Sequence, residues 1–104
     1  MSPARVQMSR RTPWRPQHPD AVRVDRATRW GNPFPVDQHG RAEAIARYRA
    51  ALLAGELAVT VDDVRTHLAG RDLACWCPLV DADGHPVPCH ADVLMEVAAA
   101  PAAP

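Results

Sequence analysis

Four residues able to bind metal or act as nucleophiles crowd the last third of the chain: Cys75, Cys77, Cys89 and His90. Cys75 and Cys77 close the run Arg71-Asp-Leu-Ala-Cys-Trp-Cys-Pro78, and Cys89 and His90 open the run Cys89-His-Ala-Asp-Val-Leu94. These residue types suit three chemistries. As nitrogen and sulfur donors, Cys75, Cys77, Cys89 and His90 have the composition of a closed zinc site, with His85 as a substitute for His90. Their spacing is not that of a Cys-x-x-Cys knuckle, because a Cys-x-Cys pair in a flat strand sets its Cα atoms about 7 Å apart. Alternatively, Cys89 with His90 is catalytic. A thiol at a helix start, beside an imidazole, has its anion favoured by the helix dipole and by a protonated ring. The backbone amides of residues 90–92 would then offer an anion or oxyanion site. In the third reading the thiols pack as small hydrophobes. On the nucleophile reading, Cys89 should be alkylated well before Cys75, which shares a strand face with Leu73.

Local elements must place these groups. Leu73, Cys75 and Cys77 alternate with Ala74 and Trp76, which predicts a strand over 72–77, ended by Pro78. A helix follows over 90–99, with Val93, Leu94 and Val97 on one side. The order strand, loop, helix puts thiols at a strand's carboxyl end and a helix's amino end, where α/β folds bind ligands. Upstream, Ala21-Val-Arg-Val-Asp-Arg26 alternates and predicts a second strand, and residues 5–10 predict an edge strand. Three prolines make 11–20 a loop. Next comes Trp30-Gly-Asn-Pro-Phe34, a loop stiffened by proline, with Gly31 free to adopt unusual angles. Trp30 and Phe34 either plug one end of the core or stack on a ligand.

Ile45, Tyr48 and Leu52 recur at helical spacing over 41–54, and Gly55 is placed to terminate that helix. Arg41 lies in its first turn, where the dipole disfavours a cation unless an acid or an anionic ligand compensates. Thr60 and Asp63 have capping-box spacing and open a short helix, whose Val61, Val64 and Leu68 face the core and which Gly70 ends. The resulting fold class is α/β: a single small domain with about three strands and three packed helices. Its expected parts are a basic, proline-rich segment over 1–20, the domain proper over 21–98, and a disordered tail over 99–104.

With 104 residues, the chain suffices for one domain with one core. Formal net charge is zero but segregated. Residues 1–30 carry seven arginines against two aspartates, and residues 56–96 carry eight acids against two arginines. The two ends either pair within the molecule or leave a basic surface for phosphate or nucleic acid. Every basic residue besides histidine is arginine. No apolar run has membrane-spanning length and the N-terminus has no apolar signal segment, so a cytoplasmic protein with reduced thiols and no membrane partner is expected.

Trp30-Gly-Asn-Pro-Phe34, the helix from Arg41 through Tyr48, Leu73-Ala-Cys-Trp-Cys77 and Pro88-Cys-His-Ala-Asp-Val-Leu94 together resemble the bacterial and phage domain-of-unknown-function family 4326. The resemblance covers roughly residues 21–98. It implies a small stand-alone cytosolic protein, often phage-borne, and implies no particular activity. Asp81-Ala-Asp-Gly-His-Pro86 lengthens the connection between Cys77 and Cys89 relative to the family pattern.

The expected site is one cleft where the Trp30–Phe34 loop meets the Cys89–His90 helix start. The expected function is binding of an anionic small molecule, a nucleotide or phosphosugar, with the possibility of chemistry on it. Arg26 and Arg41 would hold the anion, Trp30 would stack, Asn32 and Cys77 would line the pocket, and Cys89 with His90 would do nucleophilic or acid–base work. Two alternatives belong to other classes. One is a zinc-binding module that contacts nucleic acid or protein through the arginine-rich first thirty residues. The other is a phage-type inhibitor or adaptor that acts by surface contact alone.

Overall fold

The computed structural model describes residues 4–11, 13–34 and 36–99. Three short strands, β1 (Arg5–Gln7), β2 (Val22–Arg23) and β3 (Leu73–Cys75), form one sheet. The order is β1-β3-β2, and both pairings are parallel. Parallel strands need long crossovers, and the one from β2 to β3 carries α1 (Val36–His39), α2 (Arg41–Leu53) and α3 (Val61–Leu68). After β3 the chain runs through a loop into α4 (His90–Ala99). The fold is a small α/β unit, as its sequence pattern predicts. The expected edge strand is β1, so the basic N-terminal segment supplies one side of the sheet. Of the tail expected to be disordered, Ala99 ends α4, and residues 100–104 lie outside the described residues.

The strands are shorter than their alternation suggests. β3 stops at Cys75 rather than at 77, and β2 covers two of the six residues from 21 to 26. Ladder bonds extend slightly past each end: the Val24 amide donates to the Ala74 carbonyl at 2.9 Å, and the Met8 amide to the Cys75 carbonyl at 2.8 Å. Beyond Val24 the chain turns, with the Thr28 amide and hydroxyl both donating to the Asp25 carbonyl.

All three residues of β3 are buried. A central parallel strand is covered on both faces, so a one-sided alternation does not describe it. Leu73 and Cys75 join the main core with Val24, Tyr48, Leu52, Val64, Leu68 and Leu94. Ala74 faces a second cluster with Val6, Met8 and Ala21, against which Trp14 packs.

α2 ends before Gly55, whose φ of 75° is left-handed, and α3 ends before Gly70, also at 75°. α3 has the full capping box: Thr60 accepts from the Asp63 amide, and Asp63 accepts from the Thr60 amide.

The Trp30–Phe34 loop is riveted to α2. The Tyr48 hydroxyl donates to the Trp30 carbonyl at 2.8 Å. Asn32 donates to the Ala44 carbonyl at 3.1 Å and accepts from the Phe34 amide at 2.9 Å. Gly31 is required by contact: a Cβ there would lie 2.6 Å from the Arg26 Cα and 2.9 Å from its carbonyl oxygen. Both are backbone atoms and cannot swing aside. Gly31→Ala should therefore cost about 1–3 kcal/mol of stability, as overpacking does in a tight site. Urea denaturation reads it, and an unchanged midpoint would show that the two backbone segments do not meet here.

Candidate functional site

A cavity of about 260 Å³ opens at the carboxyl ends of β2 and β3. This is where parallel sheets present ligand sites. Its walls come from the expected motifs. Arg26 lies three residues past β2, Asn32 belongs to the riveted loop, Arg41 and Ile45 come from the start of α2, and Cys89 directly precedes α4, which His90 opens. Cys75 at the end of β3 and Cys77 two residues beyond it complete the wall. Asn32 and Cys89 thus share one cleft.

Trp30 does not line it. It is 5% exposed and belongs to the main core, with the Arg29 guanidinium 4.4 Å above its ring. Of the two roles open to Trp30, the core plug is the one the structure shows. The indole at the cavity is Trp76, which is 45% exposed. Alternation already put Trp76 on the strand face opposite the cysteines, and an aromatic ring there signals a surface with something to meet. Asp25 and Ile45 are the other lining residues not anticipated, since helical spacing marks Ile45 only as a core position of its helix. For Asp25 a partner was visible in the sequence. Its signal was Arg23, two residues away and so on the same side of an extended chain.

Asp25 is 5% exposed, and Arg23 forks onto it, Nε to Oδ1 at 3.1 Å and Nη2 to Oδ2 at 2.9 Å. Burial pushes this carboxyl up. The hydrogen bonds and charge of Arg23, aided by the Trp76 indole, outweigh burial and hold it below its ordinary 3.8.

The three thiol sulfurs all lie within 4.8 Å of one another. Cys75 and Cys89 are each 1% exposed, with their sulfurs 3.3 Å apart. Cys77 is half-buried at the cavity side, with Arg41 Nη1 at 3.5 Å from its sulfur. The same nitrogen donates to the Pro88 carbonyl at 3.3 Å. Electrostatically the cluster favours one thiolate, and it falls on Cys77. Hydrogen bonds from the thiols of Cys75 and Cys89 lower the Cys77 pKa, and Arg41 lowers it further against the cost of burial. Donating to neighbouring sulfurs and burial both raise Cys89. Cys75 is raised chiefly by its hydrogen bond to Cys77.

This removes the ground for expecting Cys89 to react before Cys75. Cys89 precedes a helix, but it is as buried as Cys75, and its neighbours are thiols rather than a cation. His90 does not supply the missing charge. It is 8% exposed, its Nε2 lies 2.5 Å from the Val24 carbonyl, and burial lowers its pKa. A carbonyl only accepts, so Nε2 carries the proton and Nδ1 faces the Cys89 sulfur at 3.5 Å as an acceptor. The neutral ring orients Cys89. His90 also falls outside the mutually close thiol set, and so does His85, which lies in the exposed loop beside Asp81 and Asp83. That loop closes on itself through a Val80–Pro86 bridge, and the Asp81 carboxylate accepts from the amides of Asp83 and His85.

The fold and cavity define a small parallel α/β protein with a thiol- and arginine-lined cleft at its strand ends. Residues 6–100 match the family described as domain of unknown function DUF4326, and the chain belongs to that family. No curated protein and no solved structure matches it. Among the described residues no helix is long and apolar enough to cross a membrane.

Two predictions test this electrostatic layout. In metal-free, reduced protein at neutral pH, iodoacetamide should modify Cys77 first, with Cys75 and Cys89 following only on unfolding. Peptide mass mapping reads the order, and early labelling of Cys89 would refute it. The depressed Asp25 pKa stabilises the fold above 3.8, and that contribution is lost as pH falls through the folded-state value. Asp25→Asn should thus be less stable than the parent at neutral pH, with the gap closing below 3.8 in urea titrations. A gap independent of pH would show that the carboxylate charge is not involved.

Proposed function

We propose that the protein binds an anionic small molecule in the strand-end cavity, and that a nucleotide suits it better than a phosphosugar. The observation that carries this reading is the convergence of Arg26 and Arg41 on one cavity into which α2 and α4 also direct their first residues. Helix amino ends carry partial positive charge. Arg41 is a cation at such an end, an arrangement that an anion relieves. Its guanidinium is aimed at Cys77 and retains donors beyond the Nη1 contacts for a ligand oxygen. Asp25 does not cancel this charge, because it is already paired with Arg23.

Size refines the reading. The cavity, at about 260 Å³, falls just below the roughly 300–1,000 Å³ usual for drug-sized ligands. It takes one moiety, a phosphate or a ring, and the rest of the ligand lies across the mouth. Trp76 lines the cavity, 45% exposed and with the Arg10 guanidinium 5.6 Å from its ring, and its remaining indole surface suits a base. Asn32 is committed to holding the loop, so it shapes the wall rather than grips the ligand.

Thermal unfolding with inorganic phosphate, nucleoside monophosphates and sugar phosphates tests the proposal. At least one nucleotide should raise the midpoint by mass action. Arg26→Ala and Arg41→Gln should each weaken that ligand by about tenfold or more, the worth of one charge-assisted hydrogen bond. Trp76→Ala should weaken nucleotides but not inorganic phosphate. No shift with any of these ligands would overturn the proposal.

A further inference from the structure

The arrangement of the thiols points to more than packing, and we infer that Cys75, Cys77 and Cys89 form a three-thiolate zinc centre whose fourth coordination position opens into the cavity. The metal part stands on the sulfurs alone. The open position deepens the reading of the cavity as a ligand site, since the cation would itself take an oxygen of the bound anion.

Geometry supports the ligand set. With Zn–S bonds of about 2.3 Å, tetrahedral ligation separates sulfurs by roughly 3.8 Å. The three sulfurs, all within 4.8 Å of one another, need to move only slightly to meet a common ion. They come from two segments, the end of β3 and the start of α4, which is how a small domain gains most from a metal clip. Neighbouring groups hold the ligand set in place: Arg41 Nη1 lies 3.5 Å from the Cys77 sulfur, and the Cys89 amide donates to the Asp92 carboxylate at 2.9 Å. Such outer partners orient and tune metal ligands.

Charge balance agrees. Three thiolates and one divalent cation sum to −1, and Arg41 beside Cys77 neutralises it. Three soft sulfur donors select zinc over the oxygen-seeking cations. The nearest candidate for a fourth protein ligand is His90, whose Nε2 proton goes to the Val24 carbonyl and leaves Nδ1 unprotonated. Its Nδ1 faces the Cys89 sulfur at 3.5 Å, but the ring lies outside the mutually close sulfur group, so the three sulfurs alone make up the protein ligand set. All three cysteines line the cavity, so the remaining vertex faces that space. A site with three protein ligands and one exchangeable position is the catalytic rather than the structural form of zinc site.

Cobalt(II) titration of reduced, metal-free full-length protein tests this, with circular dichroism to check that the fold is present. One cobalt ion per chain should bind, giving thiolate-to-cobalt charge transfer and the intense visible bands of tetrahedral coordination. All three thiols should then resist iodoacetamide, and zinc should displace the cobalt. Cys77→Ser, the least buried change, should weaken the metal at least about a hundredfold while the chain stays folded, and His90→Gln should keep the spectrum. Azide or inorganic phosphate should shift the visible bands by entering the open position.

Folded protein without cobalt bands would overturn the centre. So would a Cys75–Cys89 disulfide recovered from reduced protein handled with zinc. A spectrum lost in His90→Gln, or unmoved by azide and phosphate, would overturn the open position while leaving the metal in place. The melting shift of the metal-free protein with nucleotides is read separately, so failure of the zinc centre and failure of the arginine-lined ligand site are told apart.

Discussion

The hydrogen bond from His90 Nε2 to the Val24 carbonyl ties the site to the fold. It joins the first residue of α4 to the point where the chain leaves β2. It is buried, so both groups would be left unsatisfied if α4 shifted. The Tyr48 ring packs edge-on against His90, with centroids 5.3 Å apart, and the Tyr48 hydroxyl reaches the Trp30 carbonyl. One histidine and one tyrosine thereby connect β2, α4, α2 and the Trp30–Phe34 loop. The loop's own constraints follow from this: Asn32 closes onto α2, and Gly31 lies against the backbone of Arg26. Each contact fixes a piece of the cavity wall.

The same bond decides the chemistry available. A histidine whose Nε2 proton is given to a carbonyl stays neutral and presents only Nδ1. Cys89 beside it gains an acceptor and no counter-ion. The counter-ion is Arg41, which comes from another helix and sits against Cys77. The arginine contact and the imidazole contact thus belong to different cysteines. A dipole argument applied to Cys89 alone misses this, since the dipole contributes tenths of a kcal/mol to about one and burial among thiols outweighs it.

Much of the architecture was legible in local pattern. The spacing of Ile45, Tyr48 and Leu52, the capping pair Thr60 and Asp63, and the stops at Gly55 and Gly70 correspond to α2 and α3. These signals are readable because hydrogen bonding and capping act within a few residues. The meeting of two turn-rich loops could also be expected, since loops at strand ends and helix starts gather on one side of a parallel sheet.

Other features arose only from tertiary contact. Alternation over 21–26 and 72–77 overstated both strands, because pairing partners rather than pattern end a strand. Trp30 and Trp76 are the same residue type in similar turn-rich settings, yet one is core and the other faces the cavity. Trp30 packs into the main core, whereas the Trp76 ring meets the Arg10 guanidinium at 5.6 Å. The sequence by itself determined the elements, their order and the chemical character of the motifs. Tertiary structure alone decided which cysteine meets the arginine, which indole meets the cavity, and that three sulfurs separated by a long loop lie within reach of one ion. The reason is distance: short-range rules act along the chain, whereas charge, burial and coordination act through space.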